Sequence, residues 1–376
     1  MRHIPVVKFR KRQTKLAPEL VQIHLRDSCH GEDVIAGFQY SRQIVHQCPR
    51  PIEDDVPYHA RHCISISTNS ATAATELDIF HARDQFEQNR ARTPVEDVFL
   101  MKFAICNEVF EGWNLESAFE FVASVGYDAV EIAPFTIAPR VTDVSASQRI
   151  HIRNLAQRAG LEIAGIHWVL AKTDGFHVTH PDESVRARTA RYCEELVRFC
   201  SDLGGRIIVF GSPKQRSKLP GVTSAQASAW AVETLAPAGR LAQTRNVTIC
   251  FEPLSPAETD FINTANEAIK FARMFDSPAA KIILDVKAMC SESQPIPDII
   301  RASAPHFAHF HANDRNLKGP GFGDVDFRPI AAALREVAYS GYVSVEVFDF
   351  SDGPETIAAR SLSYLKESFA SNPQQA

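Results

Sequence analysis

Val247–Leu254 reads VTICFEPL, a β-branched and aromatic run that stops at an acid, Glu252, and is then broken by a proline. The same grammar returns three times downstream. Asp285 closes the run KIILDV (281–286), His311 stands in HFAHFHAND (306–314) and Glu346 in YVSVEVFDF (342–350). The steps from Glu252 to Asp285, to His311 and to Glu346 are 33, 26 and 35 residues, each the length of one strand plus one helix. In a parallel barrel the ends of consecutive strands all emerge at the C-terminal mouth, where such barrels carry their active sites. Two Glu, one Asp and one His converging there form a hard, oxygen-rich donor set with one nitrogen, suited to Mn²⁺, Mg²⁺ or Co²⁺. Without a cation, three neighbouring carboxylates would repel one another and take up protons. The four positions therefore predict a divalent-metal centre.

Outward from that stretch, the chain alternates strand and helix eight times from residue 102 onward. Strands are predicted over 102–106, 129–133, 162–168, 206–210, 247–252, 281–285, 307–311 and 343–347. Helices are predicted over 115–124, 146–159, 183–202, 224–244, 264–274, 296–302, 327–337 and 354–368. Gly126, Gly160, Gly204 and Gly341 each follow a helical run and precede a strand, as C-terminal caps do. Eight such units over 101–370 are the size of a (β/α)8 TIM barrel. The competing doubly wound sheet would carry a glycine fingerprint after its first strand, and there is none.

The totals narrow the partners. A net charge of −5 gives no general attraction to nucleic acid or to an anionic membrane. No run approaches the 18 or so apolar residues of a membrane span. The eight cysteines form no CxxC pair, and several lie in apolar runs where a free thiol behaves as a small hydrophobe. A reduced, cytoplasmic protein follows from that usage.

Residues 1–100 differ from the rest. MRHIPVVKFRKRQTK is basic but has no apolar stretch of the kind a signal peptide needs. Residues 21–100 show no sustained period of 2 or 3.6 and too little apolar surface to offset the entropy of ordering. The expectation is an N-terminal extension over 1–100 without a stable fold of its own, with Met101 as the natural initiator, ahead of the barrel at 101–370.

The run EPLSPAETDFINTANEA, from Glu252 onward, resembles the segment after the fifth strand in the D-tagatose/D-psicose 3-epimerase family of xylose-isomerase-like barrels. In that pattern a metal-binding Glu precedes Pro-Leu, and a second Glu six residues later touches the substrate; these match Glu252 and Glu258. The acids and imidazole ending the family's sixth, seventh and eighth strands match Asp285, His311 and Glu346. The resemblance covers essentially all of 101–370 and none of 1–100. It implies a sugar epimerase or isomerase holding one divalent ion, Mn²⁺ foremost, with Mg²⁺, Co²⁺ or Zn²⁺ as alternatives. It further implies Glu252 and Glu346 as the acid–base pair that inverts a carbon beside a carbonyl, and Asp285 and His311 as ligands only. Two departures concern the substrate. The family's His three residues past the sixth-strand Asp is Ala288 here, beside Lys287, and its substrate Arg lies farther past the seventh-strand His than Arg315 does.

Other strand ends and loops add candidates. His167 ends the third strand and is expected to touch substrate. Glu131 ends the second, either touching substrate or supporting a ligand. Arg315, expected to bind substrate, falls with Asn313 and Asp314 in a long glycine-rich loop after His311, close to the metal. His309 reads as an interior histidine, Phe110 and Trp113 as an apolar wall for a sugar face. In GSPKQR (211–216), Lys214 and Arg216 form either a phosphate- or carboxylate-holding turn or a solvated basic one. The expected partners are a small sugar, on the pattern of a ketose or inosose, and a second copy of the chain in a homo-oligomer. Two alternatives remain: a metal-dependent lyase or hydrolase on an oxidised glycoside, and a zinc phosphodiesterase like endonuclease IV.

Overall fold

The structure, a computed structural model, describes residues 101–370 and two short strands, Leu25–Asp27 and His62–Ile64, which pair antiparallel. By its contacts the chain divides into Met1–Glu96 and Asp97–Ala376, close to the composition break at Met101. The expectation for 1–100 otherwise lies outside the described residues.

In the second unit eight parallel strands close on themselves. They are β1 Lys102–Cys106, β2 Ala129–Ile132, β3 Glu162–Ile166, β4 Ile207–Phe210, β5 Thr248–Phe251, β6 Ala280–Asp285, β7 Phe307–Ala312 and β8 Tyr342–Val345. β8 pairs with both β7 and β1, which shuts the barrel. The helices between them are α1 Leu115–Val125, α2 Ala146–Ala159, α3 Glu183–Leu203, α4 Ser224–Thr244, α5 Ala265–Ala272, α6 Ile296–Ser303, α7 Phe327–Glu336 and α8 Pro354–Ala370. The (β/α)8 barrel expected from the sequence is the fold.

Local chemistry fixes most helix ends. Ser145 with Gln148 and Thr223 with Gln226 form capping boxes at the starts of α2 and α4, each worth about 1 kcal/mol. Gly126, Gly160 and Gly204 take left-handed backbone at the ends of α1, α2 and α3. Gly341 does not: α7 stops at Glu336 and Ala338 makes the left-handed turn (φ 54°).

Strand alternation then sorts the side chains. Ile105, Ile132, Ile208, Phe251, Leu284, Phe310 and Val345 face outward into the helix layer, the main apolar core. Ala104, Ala129 and Ala164 pack in a small separate cluster, and Val209, Cys250 and Ile283 in another. Two residues beyond Val209, Cys250 and Ile283, on the same strand face, come Gly211, Glu252 and Asp285. The alternation that buries the barrel interior therefore aims these groups at the mouth.

Candidate metal centre and active site

Glu252 and Glu346 stand one residue past β5 and β8, while Asp285 ends β6 and His311 is the last residue but one of β7. All four are buried, and one donor atom from each lies within 4.8 Å of the others. His311 Nδ1 is 3.1 Å from Glu346 Oε2, 3.8 Å from Glu252 Oε1 and 4.0 Å from Asp285 Oδ2. The four residues singled out in the sequence do converge.

The surroundings hold this set in place. Asn313 Nδ2 donates to Asp285 Oδ2 (2.6 Å), and the Ala288 N–H donates to Asp285 Oδ1 (2.7 Å). Trp168 Nε1 donates to Glu346 Oε1 at 2.7 Å. Arg216, buried, donates to the backbone carbonyls of Glu252 (2.6 Å) and Ile262 (3.3 Å), so it braces the loop after β5 rather than offering its charge to a ligand. Lys214 is exposed. Gly211 is required by space: a Cβ there would overlap the Glu252 carboxylate.

Charge crowding leaves its mark on protonation. Burial, with the charges of Glu346 and Asp285 adding to it, pushes the Glu252 carboxyl up to about 8. Burial also raises Asp285. For Glu346 burial is outweighed by the positive His311, and its carboxyl falls to about 2. His311 is in turn held well above the usual imidazole value: burial opposes its charge, but Glu346 and Glu131 favour it more. Protons on Glu252 and His311 thus offset carboxylates that a cation would otherwise neutralise. His311 Nδ1 and Glu346 Oε2 are buried without a hydrogen bond of proper geometry. Unpartnered polar atoms at the heart of a buried site are costly, and both point into the same cluster. The donor set fits a single hard divalent ion.

Behind these four residues lies a second polar layer. Glu131, wholly buried, places Oε2 2.8 Å from His309 Nε2 and 3.2 Å from His311 Nε2, so it orients the His311 imidazole. His167 Nε2 is 2.7 Å from Glu108 Oε2, and its Nδ1 is 3.8 Å from Glu131 Oε1. Glu108, buried in the turn after β1, was missed in the sequence although it too sits near a strand end, two residues past Cys106.

The substrate candidates separate. Glu258 accepts from Lys287 Nζ (2.6 Å) and Ser255 Oγ (2.7 Å), so the lysine beside Ala288 meets the glutamate that the resemblance assigned to substrate. Arg315 is exposed and lines, with Cys290 and Ile296, a cleft of about 290 Å³. The structure does not bring it into the four-residue cluster. Phe110 packs with Trp113 and Phe121, toward α1; the aromatic ring bonded to the ligand set is Trp168.

The profile of the xylose isomerase-like TIM barrel family matches residues 119–368. The D-psicose 3-epimerase of Ruminiclostridium cellulolyticum is 27% identical over 236 residues, 61% of this chain and 76% of the relative. The 3-dehydro-D-guloside 4-epimerase of Escherichia coli K12 is 22% identical over 272 residues, 71% of this chain and 99% of the relative. Among solved structures, a D-psicose 3-epimerase with D-tagatose from Clostridium cellulolyticum H10 superposes with a TM-score of 0.65 at 22% identity. It covers 72% of this chain and 99% of its own. Among the described residues no helix is long and apolar enough to cross a membrane, and Cys106, Cys193, Cys200, Cys250 and Cys290 are unbridged. With a closed eight-stranded barrel, a four-residue donor set at its mouth and a family profile spanning most of the chain, this protein belongs to the xylose isomerase-like TIM barrel family.

Proposed function

We propose that the barrel is a sugar epimerase, an isomerase-class enzyme that depends on one divalent ion, Mn²⁺ foremost, and inverts a carbon beside a carbonyl. The convergence of Glu252, Asp285, His311 and Glu346 on one small volume carries this reading. These residues would hold the ion, which supplies Lewis acidity toward the developing charge of an enediolate. The epimerase names of the relatives support the reaction class.

Glu252 and Glu346 are the two carboxylates available for proton transfer. One takes the proton from the carbon on one face, and the other, as a carboxylic acid, returns a proton to the opposite face, so the centre inverts with no net redox change. Trp168 fixes one oxygen of Glu346, and Asn313 fixes one of Asp285. Glu131, His309, His167 and Glu108 keep the layer beneath polar and preset the His311 ring.

Deuterium incorporation tests the reading. Ketohexoses, inososes and 3-keto glycosides incubated in D₂O with the metal-loaded protein should exchange one C–H with solvent as they epimerise, followed by NMR. Glu252→Gln and Glu346→Gln should each cut turnover by about 10²–10⁴-fold. Conversion without solvent deuterium, at a rate that both variants retain, would sink the mechanism.

A further inference from the structure

The ammonium of Lys287 is nearly buried and only partly satisfied. Lys287 stands two residues past Asp285, on the short helical turn Val286–Met289 that follows β6. Its backbone N–H donates to Asn313 Oδ1 at 2.7 Å, the same side chain that holds Asp285. The side chain is 9% exposed. An ammonium carries three N–H donors. Among the described residues one of them finds an acceptor, Glu258 Oε1 at 2.6 Å. The Phe348 ring, its centre 4.0 Å from Nζ, offers a π face to the charge but no lone pair. Unmet donors on a cation so nearly removed from water are costly, and they mark a place for the oxygen of a ligand.

The neighbours say where that place is. The Phe348 ring under the ammonium packs 5.9 Å from the ring of Trp168, whose N–H holds Glu346. Burial dominates the carboxyls of Glu252, Asp285 and Glu346, and the charge of Lys287 acts on all three in the lowering direction. The cation therefore belongs to the same small volume as the donor set. The other side chains nearby are spoken for. Glu258 gives Oε1 to Lys287 and Oε2 to the hydroxyl (2.7 Å) and N–H (3.2 Å) of Ser255. Ala288 has no polar side chain, and its N–H goes to Asp285.

Resting on the epimerase reading of the site, we propose that Lys287 is a further catalytic residue, donating to an oxygen of the bound sugar beside the reacting carbon, with Glu258 as the residue that positions it. Removing the proton from that carbon moves negative charge onto the neighbouring oxygens. A cationic donor already fixed at that point, in a site shielded from water, stabilises the charge as it forms. The ammonium keeps its own protons throughout, and proton transfer stays with Glu252 and Glu346.

The test is calorimetric titration of the Mn²⁺-loaded full-length protein with glycolohydroxamate, a small anion with the two-oxygen pattern of an enediolate. Lys287→Met should weaken its binding at least about tenfold, the order of one lost charge-assisted hydrogen bond. Mn²⁺ should bind that variant no more weakly than the wild type, since the charge removed is a cation. Lys287→Arg keeps the charge and should recover most of the loss. Should the Met variant fail to fold, Lys287→Gln, which keeps a donor without the charge, makes the same comparison. Equal hydroxamate affinity in the wild type and the uncharged variant would overturn the inference. So would solvent exchange of a sugar in D₂O at the wild-type rate in that variant, which would leave the epimerase reading standing. Hydroxamate binding that depends on Lys287, with no solvent exchange in any sugar, would support the lysine as an oxyanion donor and count against the epimerase reading.

Discussion

His311 Nδ1 and Glu346 Oε2 face each other across 3.1 Å in the floor of the mouth, and neither makes a hydrogen bond of proper geometry. Two buried donor atoms so placed, with Glu252 and Asp285 beside them, are poised to share a ligand. One divalent ion per chain is the expected stoichiometry by elemental analysis. His311→Ala should cost at least tenfold in its affinity. Two or three tightly bound zinc ions would favour the phosphodiesterase alternative instead.

Asn313 bonds Asp285 through its side-chain amide and caps the Lys287 N–H with its carbonyl oxygen. Asn313→Ala should weaken metal binding by about 10–100-fold, the usual effect of losing a group that orients a ligand, with the circular dichroism spectrum unchanged. An unaltered metal affinity would show that Asp285 is held by the Ala288 N–H alone.

Metal binding should release protons. Glu252, raised to about 8, and His311, also raised, are protonated in the metal-free centre at neutral pH and must give up those protons to bind. Affinity should therefore climb with pH up to and somewhat beyond about 8, and calorimetry in buffers of different ionisation enthalpy should detect the release. Stability of the metal-free protein runs the other way. A folded-state pKa above the unfolded one favours the fold at low pH, and that advantage is lost as pH rises through about 8 for Glu252. Glu346, lowered to about 2, stabilises the fold above the ordinary carboxylate range and loses that contribution in strong acid. The metal-free Tm should thus fall from mildly acidic pH toward pH 8–9, and the metal-loaded Tm should not.

Gly211→Ala is expected to reduce metal affinity in a barrel that still folds. Its Cβ would overlap the Glu252 carboxylate, which must then shift from its place beside His311 and Asp285. Unchanged affinity would mean that the β4–β5 loops yield instead.

A chain beginning at Met101 retains every strand of the closed barrel, since β1 starts at Lys102. It should be soluble and bind the metal as the full chain does. Failure to fold would show that 1–100 contribute to the barrel after all.

The sequence by itself determined the barrel and the four donor residues that converge at its mouth, because both rest on local rules. Strand–helix repetition sets the number of units, and an acid or imidazole at a strand end needs no distant partner to reach the mouth. Glu252, Asp285, His311 and Glu346 were legible for that reason. The tertiary structure decided what depends on residues far apart in the chain. Only closure of β8 onto β1 brings Trp168 to Glu346, 178 positions away, and sets Glu131 beneath His311, 180 positions away. Arg216 read as either a cation for a ligand or part of a solvated turn, and packing gave it neither role, burying it against backbone carbonyls. The pairing of Lys287 with Glu258 likewise depends on how two loops fold toward each other. Strand alternation announces which way a side chain points; what it meets there is set by packing across the barrel.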